Sequence, residues 1–360
     1  MTKVITIGVD LAKNVMQVHG VDAHGTIVVA KPLRRKQVLA FFAEQPSCLV
    51  GMEACGSAQH WARELTKLGH SVRLMPPKYV KAYVKRGKTD AADAAAICEA
   101  VTRPSMTWVP AKSVEQQGLA MLHGVRQTLI GQRTQAINAM RGHLSELGIV
   151  AAKGMLGVAE LGRIVRDEND VRLPATARAA LLILSERIAH ASTEITKLDA
   201  VLEREHKTSE TGRALDTIPS IGLVTASALR ARVTDATQFK NGRHMAAWIG
   251  LVPEQDSSGG KVKQKGISKK GDRYLRQLLV NGAMAVIRQA RQRPDKYPWV
   301  ARLLARMPAK AVAIALANKT ARIAWAIMVR GGRYQAGYRP ARYQPAALAA
   351  PAQGSAMGAL

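Results

Sequence analysis

A short apolar run that ends on a carboxylate constrains the fold of this chain more than any other feature. The run V-I-T-I-G-V at residues 4–9 is rich in β-branched side chains and predicts a buried central strand. Asp10 follows it directly. A turn aspartate that accepts hydrogen bonds from backbone N–H groups would explain Asp10 if no other acid met it. The other acids of the chain therefore decide its role.

Two later stretches supply such acids. The apolar run C-L-V-G-M at 48–52 predicts a second strand, and it ends on Glu53. Asp90 and Asp93 open an alanine-rich segment that predicts a helix. Because they are three residues apart, they share one face of its first turn, where the helix dipole favours negative charge. Taken alone, this pair is equally typical of helix capping.

Together the four acids predict a metal site at one edge of a sheet. Clustered carboxylates raise one another's pKa unless a cation neutralises them. Oxygen ligands of this kind suit Mg²⁺ or Mn²⁺, and such a site suits two-metal phosphodiester chemistry. The predicted ligands are Asp10, Glu53, Asp90 and Asp93.

The charge of the chain indicates a polyanionic partner. The 360 residues include 53 basic and 26 acidic side chains, for a net charge of +27. Nucleic acid is the expected partner, and an anionic membrane surface is the competing one. We find no signal peptide and no run long enough to span a bilayer, which predicts a cytoplasmic protein. The three cysteines lack paired spacing and predict neither disulfides nor a zinc site.

A basic run precedes the Asp90 helix. It is typical of a solvated helix face, but beside an acidic metal site it predicts contact with the phosphate backbone that is cut. The predicted contacts in this run are Lys85, Arg86 and Lys88, and Lys78 and Lys81 lead up to them.

Long helices follow from residue 113. Ser113 and Gln116 can form a capping box at the start of a helix that runs towards Gly148. A second helix, entered through Pro174, carries apolar residues at alternating steps of three and four. This seam predicts a coiled coil, either with the first helix or with a second subunit, and comprises Leu181, Leu184, Ile188, Ala191, Ile195, Leu198 and Leu202.

Two motifs in the C-terminal half favour phosphate binding. Residues 215–233 predict a helix-hairpin-helix element, in which the N–H groups at Gly222 would bind a phosphate; a plain core hairpin is the alternative. Residues 247–271 contain a Ser-Ser-Gly-Gly loop, which could equally be a linker. The cations after that loop are Lys261, Lys263, Lys265, Lys269, Lys270 and Arg273.

The order of elements suggests how the chain is divided. Residues 1–110 predict three strands, then helix, strand, helix, strand, which is the order of an α/β RNase H-like (RuvC-like) domain. A helical coiled-coil region is predicted at 111–210 and a mainly α domain at 211–330. Residues 331–360 are rich in Ala, Gly, Pro and Gln and predict a disordered basic tail.

The motifs G-V-D-L-A-K, G-M-E-A-C-G, K-T-D-A-A-D-A and G-L-V-P followed by S-G resemble those of the DEDD transposases of bacterial insertion sequences. The resemblance implies that the four acids hold Mg²⁺ and that a serine attacks DNA. Counted from Pro253, that serine is Ser258, and the adjacent Ser257 stays open. The resemblance also implies double-stranded DNA and an element-encoded bridging RNA as partners. A homodimer or dimer of dimers is expected, because joining two duplexes requires more than one active site.

Three other functions remain open on the sequence. A metal-dependent nuclease or Holliday-junction resolvase would use the acids alone, without a covalent serine intermediate. An actin-like sugar kinase or ATPase also ends its first strand on Asp, but the net charge suits it poorly. An architectural DNA- or RNA-binding protein would have no catalytic site.

Overall fold

The computed structural model describes residues 3–84, 89–259, 261 and 263–336. Its N-terminal part is built on a five-stranded sheet in the order β3-β2-β1-β4-β5. Neighbours β1, β2 and β3 are antiparallel, whereas β4 and β5 run parallel to β1. The strands are β1 (Thr6–Asp10), β2 (Val15–Val21), β3 (Ile27–Arg34), β4 (Leu49–Glu53) and β5 (Ser71–Met75). The mixed sheet confirms the predicted α/β class and is consistent with an RNase H-like DEDD domain.

Helices cover both faces of this sheet. The apolar residues Ile7, Val9, Met16 and Val18 alternate along β1 and β2 and form one core with helices of the first face. Those helices are α1 (Val38–Ala43) and α2 (Ala58–Lys67). Beyond β5 come the short α3 (Pro77–Val80) and then α4 (Asp90–Ala100), which packs on the opposite face against β1, β2 and β4.

Two long antiparallel helices follow, and they pack on each other within one chain. Ser113 accepts the N–H of Gln116 while the Gln116 side chain accepts the N–H of Ser113, so the predicted capping box is present. Arg126 pairs with Asp199 at 2.6 Å. The helices are α5 (Val114–Glu146), α6 (Met155–Arg166) and α7 (Ala175–Thr208). The α7 seam thus faces α5 of its own chain, and a coiled coil remains a prediction.

The C-terminal part is helical apart from one small two-stranded sheet, β6-β7. Its core is a single apolar cluster centred on Leu275, Leu279, Val312 and Ala317. The elements are α8 (Glu210–Asp216), α9 (Leu223–Arg232), α10 (Gly242–Ile249), β6 (Pro253–Gln255), β7 (Gln264–Ile267), α11 (Arg273–Gln292), α12 (Pro298–Leu304) and α13 (Ala309–Arg330). The predicted tail lies outside the described residues from residue 337 onwards.

The prediction that no run is long enough to span a bilayer is wrong by length and composition, because α13 meets both criteria, as the one such helix among the described residues. This helix packs against α10 and α11, and Val312, Ala317 and Ala321 are fully buried in the C-terminal core. Core helices of globular domains also meet this criterion. The packing supports that role for α13.

Candidate active site

A close contact between a helix and a strand positions the acids. Gly8 lies on the face of β1 that α4 covers, and the carbonyl group of Ala94 lies directly over it. A Cβ at Gly8 would lie 2.8 Å from the Cα of Cys98 and closer still to the Ala94 oxygen, so only glycine lets α4 approach this closely. Two residues further along β1, Asp10 lies on the same face. The contact therefore brings Asp10 to the N-terminal turn of α4.

The electrostatics show that the predicted acids converge. Burial raises the pKa of Asp10, and the charges of Asp90 and Asp93 raise it further. Burial likewise raises the pKa of Glu53, with contributions from Asp10 and Asp93. Asp10 and Glu53 end adjacent parallel strands, and Asp93 faces both from α4. The four acids thus form one cluster of mutually repelling carboxylates.

This cluster fits a divalent cation in its chemistry. A cation among the four carboxylates would relieve the repulsion that raises the pKa of Asp10 and Glu53. In the described part of the chain, no three acidic, histidine or cysteine side chains already lie close enough to enclose a metal. The carboxylates of this part of the chain are therefore not preassembled around a metal position.

The second predicted site lies at the tip of the β6-β7 hairpin. Ser258 bridges to Lys261 across the turn, where the Lys261 N–H donates to the Ser258 carbonyl at 3.0 Å. The Ser257 hydroxyl accepts the N–H of Lys263 at 3.2 Å. The Ser258 side chain is exposed, and its hydroxyl has no hydrogen-bond partner among the described residues. Both serines are exposed, and of the two only the Ser257 hydroxyl has a hydrogen-bond partner among the described residues.

A glycine contact holds the base of this hairpin. Gly250 ends α10 in the left-handed conformation at φ 82°, and a Cβ there would clash with the carbonyl oxygen of Lys270. The Lys269 N–H donates to the Gly250 carbonyl at 3.2 Å. The two ends of the segment that carries Ser258 are therefore joined.

The predicted cations around the hairpin are all exposed, but two of them are paired. Lys265 binds Asp256 at 2.6 Å, and Lys270 binds Glu254 at 2.9 Å. The others are free to meet a phosphate as far as the described residues show, and they are Lys261, Lys263, Lys269 and Arg273. The predicted contacts Lys85, Arg86 and Lys88 lie outside the described residues.

A turn between two helices lies at the position of the predicted helix-hairpin-helix element, which itself stays a prediction. Helix α8 ends at Asp216 and α9 begins after Gly222, which is its N-cap and is exposed with open space around it. The Ser220 hydroxyl lies 2.5 Å from that of Thr320 and holds the turn onto α13. A phosphate at the start of α9 would meet free backbone N–H groups.

Sequence reasoning missed a buried polar network between the long helices and the C-terminal part. His123 on α5 is fully buried, with Nδ1 3.0 Å from the Tyr274 hydroxyl and Nε2 3.0 Å from that of Ser227. Burial and the charges of Arg232 and Arg126 lower the pKa of His123 to about 4. The sequence feature that could have indicated this network is the histidine one helical turn after Leu119 in an apolar stripe of α5.

Ser258 and the acids belong to different parts of the chain. Among the described residues, no hydrogen bond or ion pair joins the hairpin to the acidic cluster. Lys112, just before α5, is held to the N-terminal part, since it donates its backbone N–H to Gln59 of α2 and its carbonyl accepts from Arg63. Each part is thus built separately.

Comparison with known proteins identifies the family. A DEDD model described as "Transposase" matches residues 7–149, and a model of the "Transposase IS116/IS110/IS902 family" matches 212–298. The "Probable family 20 transposase" of Pseudomonas aeruginosa is 46% identical over 333 residues, covering 92% of this chain and 98% of that protein. The transposase of element IS1328 of Yersinia enterocolitica is 38% identical, with the same shares of both chains covered. That of element IS1111A of Coxiella burnetii is 37% identical, covering 94% and 93%. The chain therefore belongs to the IS110/IS116 family of insertion-sequence transposases.

Proposed function

We propose that this transposase cuts and rejoins DNA through Ser258, assisted by Mg²⁺ or Mn²⁺ at Asp10, Glu53, Asp90 and Asp93. The observation that carries the proposal is the convergence of the four acids, because charges that raise the pKa of their neighbours favour a bound cation. A cluster of this kind is costly to keep unless it has a ligand. Such a cation would polarise the oxygens of a phosphodiester substrate.

In the proposed step, the Ser258 oxygen attacks a DNA phosphorus. A bond forms between Ser258 Oγ and phosphorus while one P–O bond of the strand breaks, and the departing sugar oxygen takes up a proton. The strand is held as a phosphoserine, and attack by a sugar hydroxyl of the new partner strand reverses the step and frees Ser258. The serine hydroxyl has a high pKa and needs activation, which a bound cation or a carboxylate of the cluster would supply. Lys261 and Lys263 would hold the flanking phosphates.

The proposed partners are double-stranded DNA and an element-encoded RNA that bridges donor and target. The net charge of +27 and the open N-terminus of α9 support nucleic acid as the ligand. We further propose that the acids of one subunit act with the Ser258 hairpin of another, in a homodimer or a dimer of dimers. The separate construction of the two parts supports this arrangement. We also propose that the protein acts in the cytoplasm, at the nucleoid.

Covalent trapping tests the proposal. Purified protein is incubated with element-end DNA, the element's RNA and Mg²⁺, and the products are separated on a denaturing gel. We expect a protein–DNA adduct that Ser258→Ala and Asp10→Ala abolish and that the neighbouring control Ser257→Ala retains. Mixing Ser258→Ala with Asp10→Ala protein should restore the adduct if the two parts act across subunits.

Two results would contradict the proposal. Cleaved DNA without an adduct in any sample would assign the chemistry to the acids alone, as in a metal-dependent nuclease or junction resolvase. An adduct retained in Ser258→Ala and lost in Ser257→Ala would move the nucleophile by one residue.

A further inference from the structure

The sheet edge that carries the acids also carries a group of cations that the proposed function does not use. Strand β3 ends at Arg34, which pairs with Val15 at the start of β2. Because β2 is antiparallel to β1, this end of β2 lies beside Asp10. We call the exposed cations of this corner the β3-edge cluster, which comprises Lys13, Arg34, Arg35 and Lys36.

The strand register fixes how far this cluster lies from the acids. Asp10 pairs with Gln17, and Gln17 pairs with Pro32, two residues before Arg34. Because side chains alternate along a strand, Arg34 lies on the same face of the sheet as Asp10. Two strand spacings of about 4.8 Å and two residues of about 3.4 Å put their Cα atoms about 12 Å apart.

Backbone contacts hold the cluster in place. The Arg35 N–H donates to the Asn14 carbonyl at 2.8 Å, which ties the end of β3 to the turn before β2. The Arg34 N–H donates to Gln37 Oε1 at 2.9 Å, and the Arg35 guanidinium lies 5.1 Å from the centre of the Trp61 ring. A shallow, open depression at this corner is lined by Asn14, Val15 and three members of the cluster. The backbone is therefore held while this surface stays open.

The charges of the cluster are not neutralised by the protein. Within the described part of the chain, none of its four members forms an ion pair, whereas Lys67 on the same sheet domain pairs with Glu64. Arg34, Arg35 and Lys36 are consecutive, so their charges repel one another. A polyanion bound at this surface would reduce this repulsion.

We infer that the β3-edge cluster binds the phosphate backbone of the DNA strand whose scissile phosphate lies at the four acids. This inference rests on the proposed function, since it takes the acids as the place where the strand is cut. A separation of about 12 Å, compared with about 3.4 Å of helix axis per nucleotide, corresponds to phosphates about two to four nucleotides from the cut. The cluster makes no base contact in this arrangement and holds any sequence equally well.

Salt-dependent binding tests the inference without requiring chemistry. An element-end duplex is titrated with protein in EDTA at several salt concentrations, and log K is plotted against log salt. For Arg34→Gln/Lys36→Gln we expect the slope to become shallower by about 2, because about one counterion is released for each phosphate contact. The control Lys3→Gln/Lys67→Gln removes two exposed positive charges, near the start of β1 and at the end of α2, and should keep the wild-type slope. Among the described residues, Lys3 forms no ion pair and Lys67 pairs with Glu64.

Neutral phosphates locate the contact. Duplexes with a single methylphosphonate two to four nucleotides from the cut should bind wild-type protein more weakly. They should have no additional effect on Arg34→Gln/Lys36→Gln, because the contact has already been removed. A methylphosphonate ten nucleotides away should affect both proteins equally.

The outcomes separate this inference from the proposed function. An unchanged salt slope in the double variant would overturn the inference, even if the Ser258 adduct forms normally. A shallower slope would support it, even if no adduct forms and the serine chemistry fails. A change confined to binding of the element's RNA, with DNA binding unaltered, would overturn the assignment to DNA.

Discussion

Gly8 on the central strand lies against the carbonyl oxygen of Ala94, so the backbone of α4 rests directly on the backbone of β1. Thr6 continues this contact at its other end, where its carbonyl accepts the Cys98 thiol at 3.7 Å. The helix therefore runs antiparallel to the strand, with its acidic first turn over Asp10. Because Gly8 has no Cβ, α4 can lie close enough to the sheet to place its two acids over the two acids of the strands.

Gly8→Ala should therefore damage both stability and the acidic cluster. A Cβ at this position displaces α4, and overpacking of this kind costs about 1–3 kcal/mol. Urea unfolding measures the loss of stability, and transposition assays measure the loss of activity. Gly118→Ala is the control, because Gly118 is an exposed residue of α5 with open space around it. It should be neutral or stabilising by about 0.5–1 kcal/mol. Equal stabilities for the two variants would refute the contact.

Asp10→Asn should have opposite effects on stability with and without metal. In EDTA, removing one of the mutually repelling carboxylates should raise Tm, because Asp10 raises the pKa of Glu53. Adding Mg²⁺ should raise the Tm of the wild type but not of Asp10→Asn, since a ligand stabilises the state that binds it. Differential scanning fluorimetry measures both effects. Glu44→Gln, an exposed acid of the same domain, should respond to Mg²⁺ like the wild type.

His123 should make stability depend on pH in a defined window. Burial is the largest cause that lowers the pKa of His123 from 6.5 to about 4. Between these two pH values, the unfolded chain therefore binds a proton that the folded chain does not. Stability therefore falls as the pH drops through this window, by at most about 3 kcal/mol. His123→Gln keeps a polar side chain without a titrating group and should lose this contribution.

The measurement is a set of urea unfolding curves between pH 4 and pH 7, taken as the difference between variant and wild type. His60→Gln replaces an exposed histidine and serves as the control. Parallel pH profiles for wild type and His123→Gln would show that His123 is protonated in the folded state.

Gly250→Ala should loosen the hairpin that carries Ser258. The left-handed backbone at φ 82° costs alanine about 1 kcal/mol, and the clash with Lys270 adds about 1–3 kcal/mol. Gly148 lies just after α5 with the same pattern of backbone hydrogen bonds and a φ of 74° but has open space around it, so Gly148→Ala should show the backbone cost alone. Adduct formation should fall in Gly250→Ala and stay normal in Gly148→Ala. Mg²⁺ binding, followed by its effect on Tm, should be unchanged in both.

The four acids could be predicted because each lies at a position that a local sequence pattern identifies. Asp10 and Glu53 end apolar runs, and parallel strands deliver their last residues to one edge. The acidic first turn of α4 and the capping box at Ser113 are likewise local patterns. Their convergence on a sheet follows from rules of topology rather than from distant contacts.

The rest depends on contacts between parts far apart in sequence. His123 meets Ser227 and Tyr274, which lie 104 and 151 residues away, and no local pattern records that pairing. The place of Arg34 beside the acids follows only from the register of β2 with β3, which a one-residue shift would change. The metal site, the nucleophile and the domain boundaries remain predictions.

The antiparallel pairing of α5 and α7 makes the middle of this chain a spacer of adjustable length. Helices α5 and α7 have 33 and 34 residues, and each is about 50 Å long. The chain runs outward along α5 and returns along α7. Removing seven residues from each helix would shorten the pair by about two turns and keep its packing register. Such a cut, between the His123 contacts and α6, would move the tip by about 10 Å and leave the N-terminal sheet and the C-terminal helices where they are. The reach of an assembled complex could in this way be varied separately from its chemistry.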